Sequence, residues 1–104
     1  MKLVTKQLER EFKKYPLRSQ DGKKEKAEVI CKFFAPIGAL TWYVLEAEKQ
    51  ENDFMFFGIV VNDCFEREYG YFTLSQLDEI ELPMRLKIER DIYFCKCTVE
   101  DLGD

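Results

Sequence analysis

The stretch FMFFGIVV at residues 54–61 carries no polar side chain on either face of an extended chain. A strand of that kind is central in a sheet and covered on two sides. Gly58 within it marks a bulge or a close approach by another element. The 104 residues leave room for one core, so residues 1–104 are read as a single domain.

Upstream the period is helical. Val4, Leu8, Phe12 and Tyr15 form one stripe across residues 2–15, with Lys6, Glu9, Arg10 and Lys13 turned to water. Thr5 caps the start, and Tyr15 before Pro16 ends it. Residues 17–26 are polar and lysine-rich around an Asp21-Gly22 turn, which predicts a mobile loop. Alternation then begins. In residues 27–34, Val29, Cys31 and Phe33 share a face of a first strand. Residues 35–40, with Pro36 and Gly38, turn the chain back.

Residues 41–48 form a second strand, with Trp42 and Val44 facing a core and Tyr43, Leu45 and Ala47 on the other side. A hairpin loop at 49–53 leads into the apolar strand. A charged turn at 62–68 leads out of it into a fourth strand at 69–74. Ser75 opens a short helix, with Asp78 completing a capping box and Leu77 and Ile80 inward. Residues 81–90 are irregular, and residues 91–97 make a last edge strand. The sum is an α+β domain: an N-terminal helix packed on an antiparallel sheet of about four to five strands, with a short second helix.

The chain contains no histidine. Histidine general bases, Ser-His-Asp and Cys-His nucleophile systems and the two-histidine zinc helix are therefore excluded. Gly38, Gly58 and Gly70 are isolated, so no phosphate-cradling glycine loop exists. Two carboxylate pairs, Glu46 with Glu48 and Glu89 with Asp91, have the spacing that puts both groups on one strand face, but neither comes with a third ligand. The chain is read as no enzyme, with no catalytic residues, no cofactor and no metal.

Cys31, Cys64, Cys95 and Cys97 lack the C-x2-C knuckles of a zinc site and read as reduced thiols, Cys31 and Cys64 as small hydrophobes. The aromatic set Trp42, Tyr43, Phe54, Phe56, Phe57, Tyr69, Tyr71 and Phe72 lies among acidic residues and is assigned to the core rather than to base stacking. No apolar run reaches half of a bilayer span, and no secretory segment follows the basic start; the expected address is the cytoplasm.

The formal charge of -4 is unevenly spread. The first 32 residues hold ten Lys or Arg against five Asp or Glu, and the rest hold six against fifteen. An acidic domain repels nucleic acid and attracts the basic protein surfaces that hold it. The carboxylates at expected turns, Glu48, Glu51 and Asp53 in one and Asp63, Glu66 and Glu68 in the next, are the candidate partner-binding residues of a monomer. The alternative is a nucleic-acid site on the basic loop, with Arg18, Lys23, Lys24 and Lys26 on phosphates.

The succession KFFAPIGALTWYVLEAE (32–48), DFMFFG (53–58), EYGYFTLSQLDEI (68–80) and IERDIYF (88–94), with the start MKLVTKQL, resembles a bacterial family of small proteins of unknown function carried on plasmids, conjugative elements and prophages. Members of about this length are similar to a type II-A anti-CRISPR protein from gut bacteria. That resemblance implies an inhibitor that binds Cas9 and blocks guide RNA or target DNA. The alternative is an accessory protein of the mobile element that binds nucleic acid.

Overall fold

The computed structural model describes residues 2–62, 64 and 66–103. Its elements run α1 (Lys6–Phe12), β1 (Glu28–Val29), β2 (Cys31–Phe34), β3 (Thr41–Gln50), β4 (Asp53–Val61), β5 (Arg67–Thr73), α2 (Leu74–Glu79), β6 (Glu89–Arg90) and β7 (Cys97–Thr98). Five strands form one antiparallel sheet in the order β5-β4-β3-β2-β6, while β1 and β7 pair as a separate ribbon. The architecture is α+β.

One face of β4 is covered along its length and the other around Ile59. On one face Phe12 of α1 and Leu77 of α2 close over Phe33, Trp42, Val44, Phe54, Phe56 and Phe72. Phe56 has no exposed area and meets Phe12, Phe33 and Phe72 at ring-centroid distances of 5.4, 5.9 and 5.5 Å. Each such burial stabilises by about 1.5–3 kcal/mol. A helix as short as α1 is held by this packing and by its cap, Thr5 Oγ1 accepting from the Leu8 amide at 3.2 Å. On the other face Val29 of β1 and Val99 beyond β7 pack on Leu45 and Ile59. The unbroken apolar run of β4 follows from these two layers.

The structure corrects several local expectations. Residues 27–34 are two strands: Val29 packs on the second face, while Cys31 and Phe33 pack on the first. The cap of α2 is Thr73, not Ser75, and its capping-box partner is Gln76, because Thr73 Oγ1 accepts the Gln76 amide and Gln76 Oε1 accepts the Thr73 amide. The edge strand expected at 91–97 is replaced by β6 beside β2 and by β7 on β1; Ile92 and Tyr93 between them are exposed. Trp42 is buried, as its side of β3 predicts. Among the described residues no helix is long and apolar enough to cross a membrane.

Candidate functional site

The site begins with an irregularity in β3. Val44 pairs with Gly58 and Glu46 with Phe57, so Leu45 is an extra residue, a β-bulge. A period of two would place Ala47 with Leu45 and send Glu46 into the helix-covered core with Trp42. The bulge reverses this: Ala47 packs with Trp42 and Val44, and Glu46 follows Leu45 onto the opposite face. Gly58 is what permits it, because any Cβ there would collide with the Tyr43 carbonyl oxygen.

Glu46 is 2% exposed and organises the loop expected to be mobile. The Arg18 amide donates to Glu46 Oε1 at 2.7 Å and the Gln20 amide to Oε2 at 2.8 Å. Gln20 is buried too, its Nε2 donating to the Leu45 and Glu28 carbonyls and its Oε1 accepting the Glu28 amide. The loop is thus pinned to the sheet through two side chains. Arg18 adopts a left-handed backbone (φ 73), a conformation unfavourable for a residue with a Cβ, where its amide reaches Glu46.

Beside this clamp the second face of the sheet is open. Glu48 lies across from Met55, Glu46 from Phe57, and Phe57 from Tyr71, with Tyr69 next along β5. Tyr69 and Tyr71 are 56% and 62% exposed. Their rings stand 6.0 and 5.0 Å from that of Phe57. These two tyrosines therefore leave the core set to which sequence assigned them; Trp42, Phe54, Phe56 and Phe72 stay in it, and Tyr43 and Phe57 are half-buried. The signal for the tyrosines was their spacing: two hydroxyl-bearing rings on one face of a strand whose other face holds Phe72. A cavity of about 240 Å³ opens between the clamped loop and Phe57 and Tyr69, with Glu46 in its lining.

The expected acidic residues divide. Glu48 and Glu51 are exposed at the β3–β4 hairpin end, and Glu66 and Glu68 are exposed at the opposite end, around β5's start. Asp63 lies outside the described residues. Asp53 is not a free surface charge: its Oδ1 accepts the Phe54 and Ser75 amides at 2.8 and 3.0 Å, and its Oδ2 accepts Ser75 Oγ at 2.7 Å. Burial pushes the Asp53 carboxyl up, but the hydrogen bonds from Ser75 and Phe54 outweigh it and hold the group below its ordinary value. Asp53 anchors α2.

Of the basic set, Lys23, Lys24 and Lys26 are exposed, and Arg18 Nε pairs with Asp21 at 3.2 Å. Lys24 lines the cavity. In the pair Glu89 and Asp91, Asp91 is taken by Lys32 Nζ at 3.8 Å and by the Tyr93 amide at 3.0 Å. Cys31 is buried, and burial raises its thiol well above the ordinary value, whereas Cys64 is exposed and not the packed hydrophobe expected. Among the described residues no three Cys, Asp or Glu side chains converge as metal ligands. The site can offer carboxylates, aromatic faces and shape.

The profile of one protein family, described as a protein of unknown function (DUF2958), matches residues 3–99. No curated protein and no solved structure matches the chain.

Proposed function

Since this chain belongs to the DUF2958 family of proteins of unknown function, its activity has to be argued from its own surface, and we propose that it is a non-enzymatic binding protein that docks its open acidic and aromatic half-face on a basic, nucleic-acid-handling protein in the bacterial cytoplasm. The observation that carries this reading is the row in which Glu48 flanks Met55 and the exposed Tyr69 and Tyr71 flank Phe57. Exposed aromatics beside carboxylates suit arginine- and lysine-rich surfaces, where rings supply contact area and carboxylates supply steering. The partner is a Cas9 nuclease, as the resemblance of residues 32–48, 53–58, 68–80 and 88–94 implies. Carboxylates of Glu48 and Glu51 then lie where guide or target phosphates otherwise bind, and Cas9 loses access to its nucleic acid.

The test is to mix the protein with Cas9, with and without guide RNA, and to follow co-migration on size exclusion and cleavage of target DNA. Complex formation that weakens as salt rises, with loss of cleavage, supports the reading. Absence of both at micromolar protein removes it. Binding to nucleic acid instead, lost when Lys23, Lys24 and Lys26 become Glu, replaces it with the mobile-element accessory role.

A further inference from the structure

We infer that the cavity between the clamped loop and β5 is a receptor for one arginine side chain of a protein partner, with Glu46 receiving the guanidinium and the stacked rings of Phe57 and Tyr69 offering a face to its plane. Glu46 is a nearly fully buried carboxylate, and among the described residues no Lys or Arg side chain pairs with it; its partners are two backbone amides. A buried charge ordinarily has a counter-charge. One amide on each oxygen leaves each a lone pair, and a guanidinium fork is the donor that fills two at once.

The walls agree with the floor. Phe57 and Tyr69 are stacked with an interplanar angle of 17° at the cavity's edge, and a flat guanidinium stacks on such faces where an ammonium does not. The volume of about 240 Å³ is below that of pockets for drug-sized ligands and suits a single side chain. The charged residues lining it are Asp21, Glu46 and Lys24; Arg18 Nε already pairs with Asp21 at 3.2 Å, so Glu46 is the carboxylate left to receive a cation. Lys24 is the positive charge in the lining itself. It is exposed on the loop and sets how tightly the cation binds.

The inference depends on the binding-protein reading only for the source of the arginine, a protein surface rather than the free amino acid. The experiment follows amide shifts of the labelled full-length protein during titration with N-acetyl-arginine methylamide, its citrulline and lysine counterparts, and free arginine. Saturable shifts centred on Gln20, Gly22 and Tyr69 are expected with capped arginine, at least about tenfold weaker with capped citrulline, which keeps the shape and loses the charge. Tyr69→Ala weakens binding with an unchanged melting temperature, and Lys24→Ala strengthens it.

Equal response to citrulline, equal or tighter binding of capped lysine, no saturable shift, or shifts centred elsewhere overturn the receptor. Tighter binding of free arginine than of the capped form overturns the protein source. Capped arginine binding to a chain that does not bind Cas9 sinks the Cas9 reading and leaves the receptor standing. A Cas9 complex indifferent to Tyr69→Ala, without arginine-induced shifts, does the reverse.

Discussion

Gly58 stands directly across the sheet from Val44, with the position of its absent Cβ only 3.2 Å from the Val44 Cα and in collision with the Tyr43 carbonyl oxygen. The bare backbone of β4 lets β3 close in at the bulge, and the bulge turns Glu46 from the core toward the loop. Gly58→Ala is therefore expected to destabilise by about 3 kcal/mol, since backbone rather than a pliable side chain must move. Urea denaturation gives the loss. Amide shifts of Arg18 and Gln20 in the surviving folded fraction should move with it, because their partner Glu46 is displaced. A variant as stable as the parent would show that the two strands can separate freely.

Trp42 is buried on the helix-covered face beside Phe33, its partner across β2. Trp42→Ala should destabilise by about 3–5 kcal/mol through the cavity it leaves. Thermal melting followed by circular dichroism measures this. Retained stability with lost partner binding would make Trp42 a surface anchor instead.

What was legible in the sequence was whatever a single element decides alone. The stripe of Leu8 and Phe12, the Thr5 cap and the central place of β4 each follow from local periodicity, whereas the expected cover on its second face is complete only around Ile59. The site did not, because its parts depend on contacts between distant segments. The loop at residues 17–26 looks mobile until Glu46, on β3, supplies acceptors for Arg18 and Gln20. One extra residue, Leu45, inverts the facing of every later side chain in β3, and only Gly58 hinted at it. Tyr69 and Tyr71 resemble core aromatics by hydropathy. They are exposed because β5 is an edge strand and the ribbon of β1 and β7 covers the other half of that face.

Asp53 governs a pH dependence. Its carboxyl sits below its ordinary value in the fold, so the ionised form is preferred when folded. Asp101, which accepts the Thr98 amide and hydroxyl, is lowered too. A depressed folded value contributes stability that is present above the unfolded value, near about pH 4, and lost as pH falls through the folded one. Urea midpoints should fall below that pH, and Asp53→Asn should reduce the slope there while lowering stability at neutral pH by about 1 kcal/mol through the weakened anchor of α2. An unchanged slope in Asp53→Asn would assign the acid sensitivity to other carboxylates.

Charge reversal separates the binding readings, and the structure decides which positions are clean. Asp53→Lys would break three hydrogen bonds to Phe54 and Ser75 and confound stability with binding. Glu48 and Glu51 are exposed and absent from any ion pair among the described residues, so reversing both to Lys should change stability by less than about 1 kcal/mol. At the far end of the sheet Glu66 and Glu68 form the comparison pair, also exposed; Glu68 precedes Tyr69 on β5 but lies across from Val60, on the face opposite the open aromatic row. A protein that meets a basic surface with its hairpin end loses affinity for Cas9 with the first pair and keeps most of it with the second. Tyr71→Ala should add to the loss, being 62% exposed and in contact with Phe57. Isothermal titration at two salt concentrations reads both effects, the hairpin variant showing the smaller salt dependence because the charges that salt screens are gone. Loss with Glu66 and Glu68 alone would move the contact to the opposite end of β5. Loss only when Lys23, Lys24 and Lys26 become Glu, with binding to nucleic acid in place of protein, would give the surface to phosphates and reverse the order of the two readings.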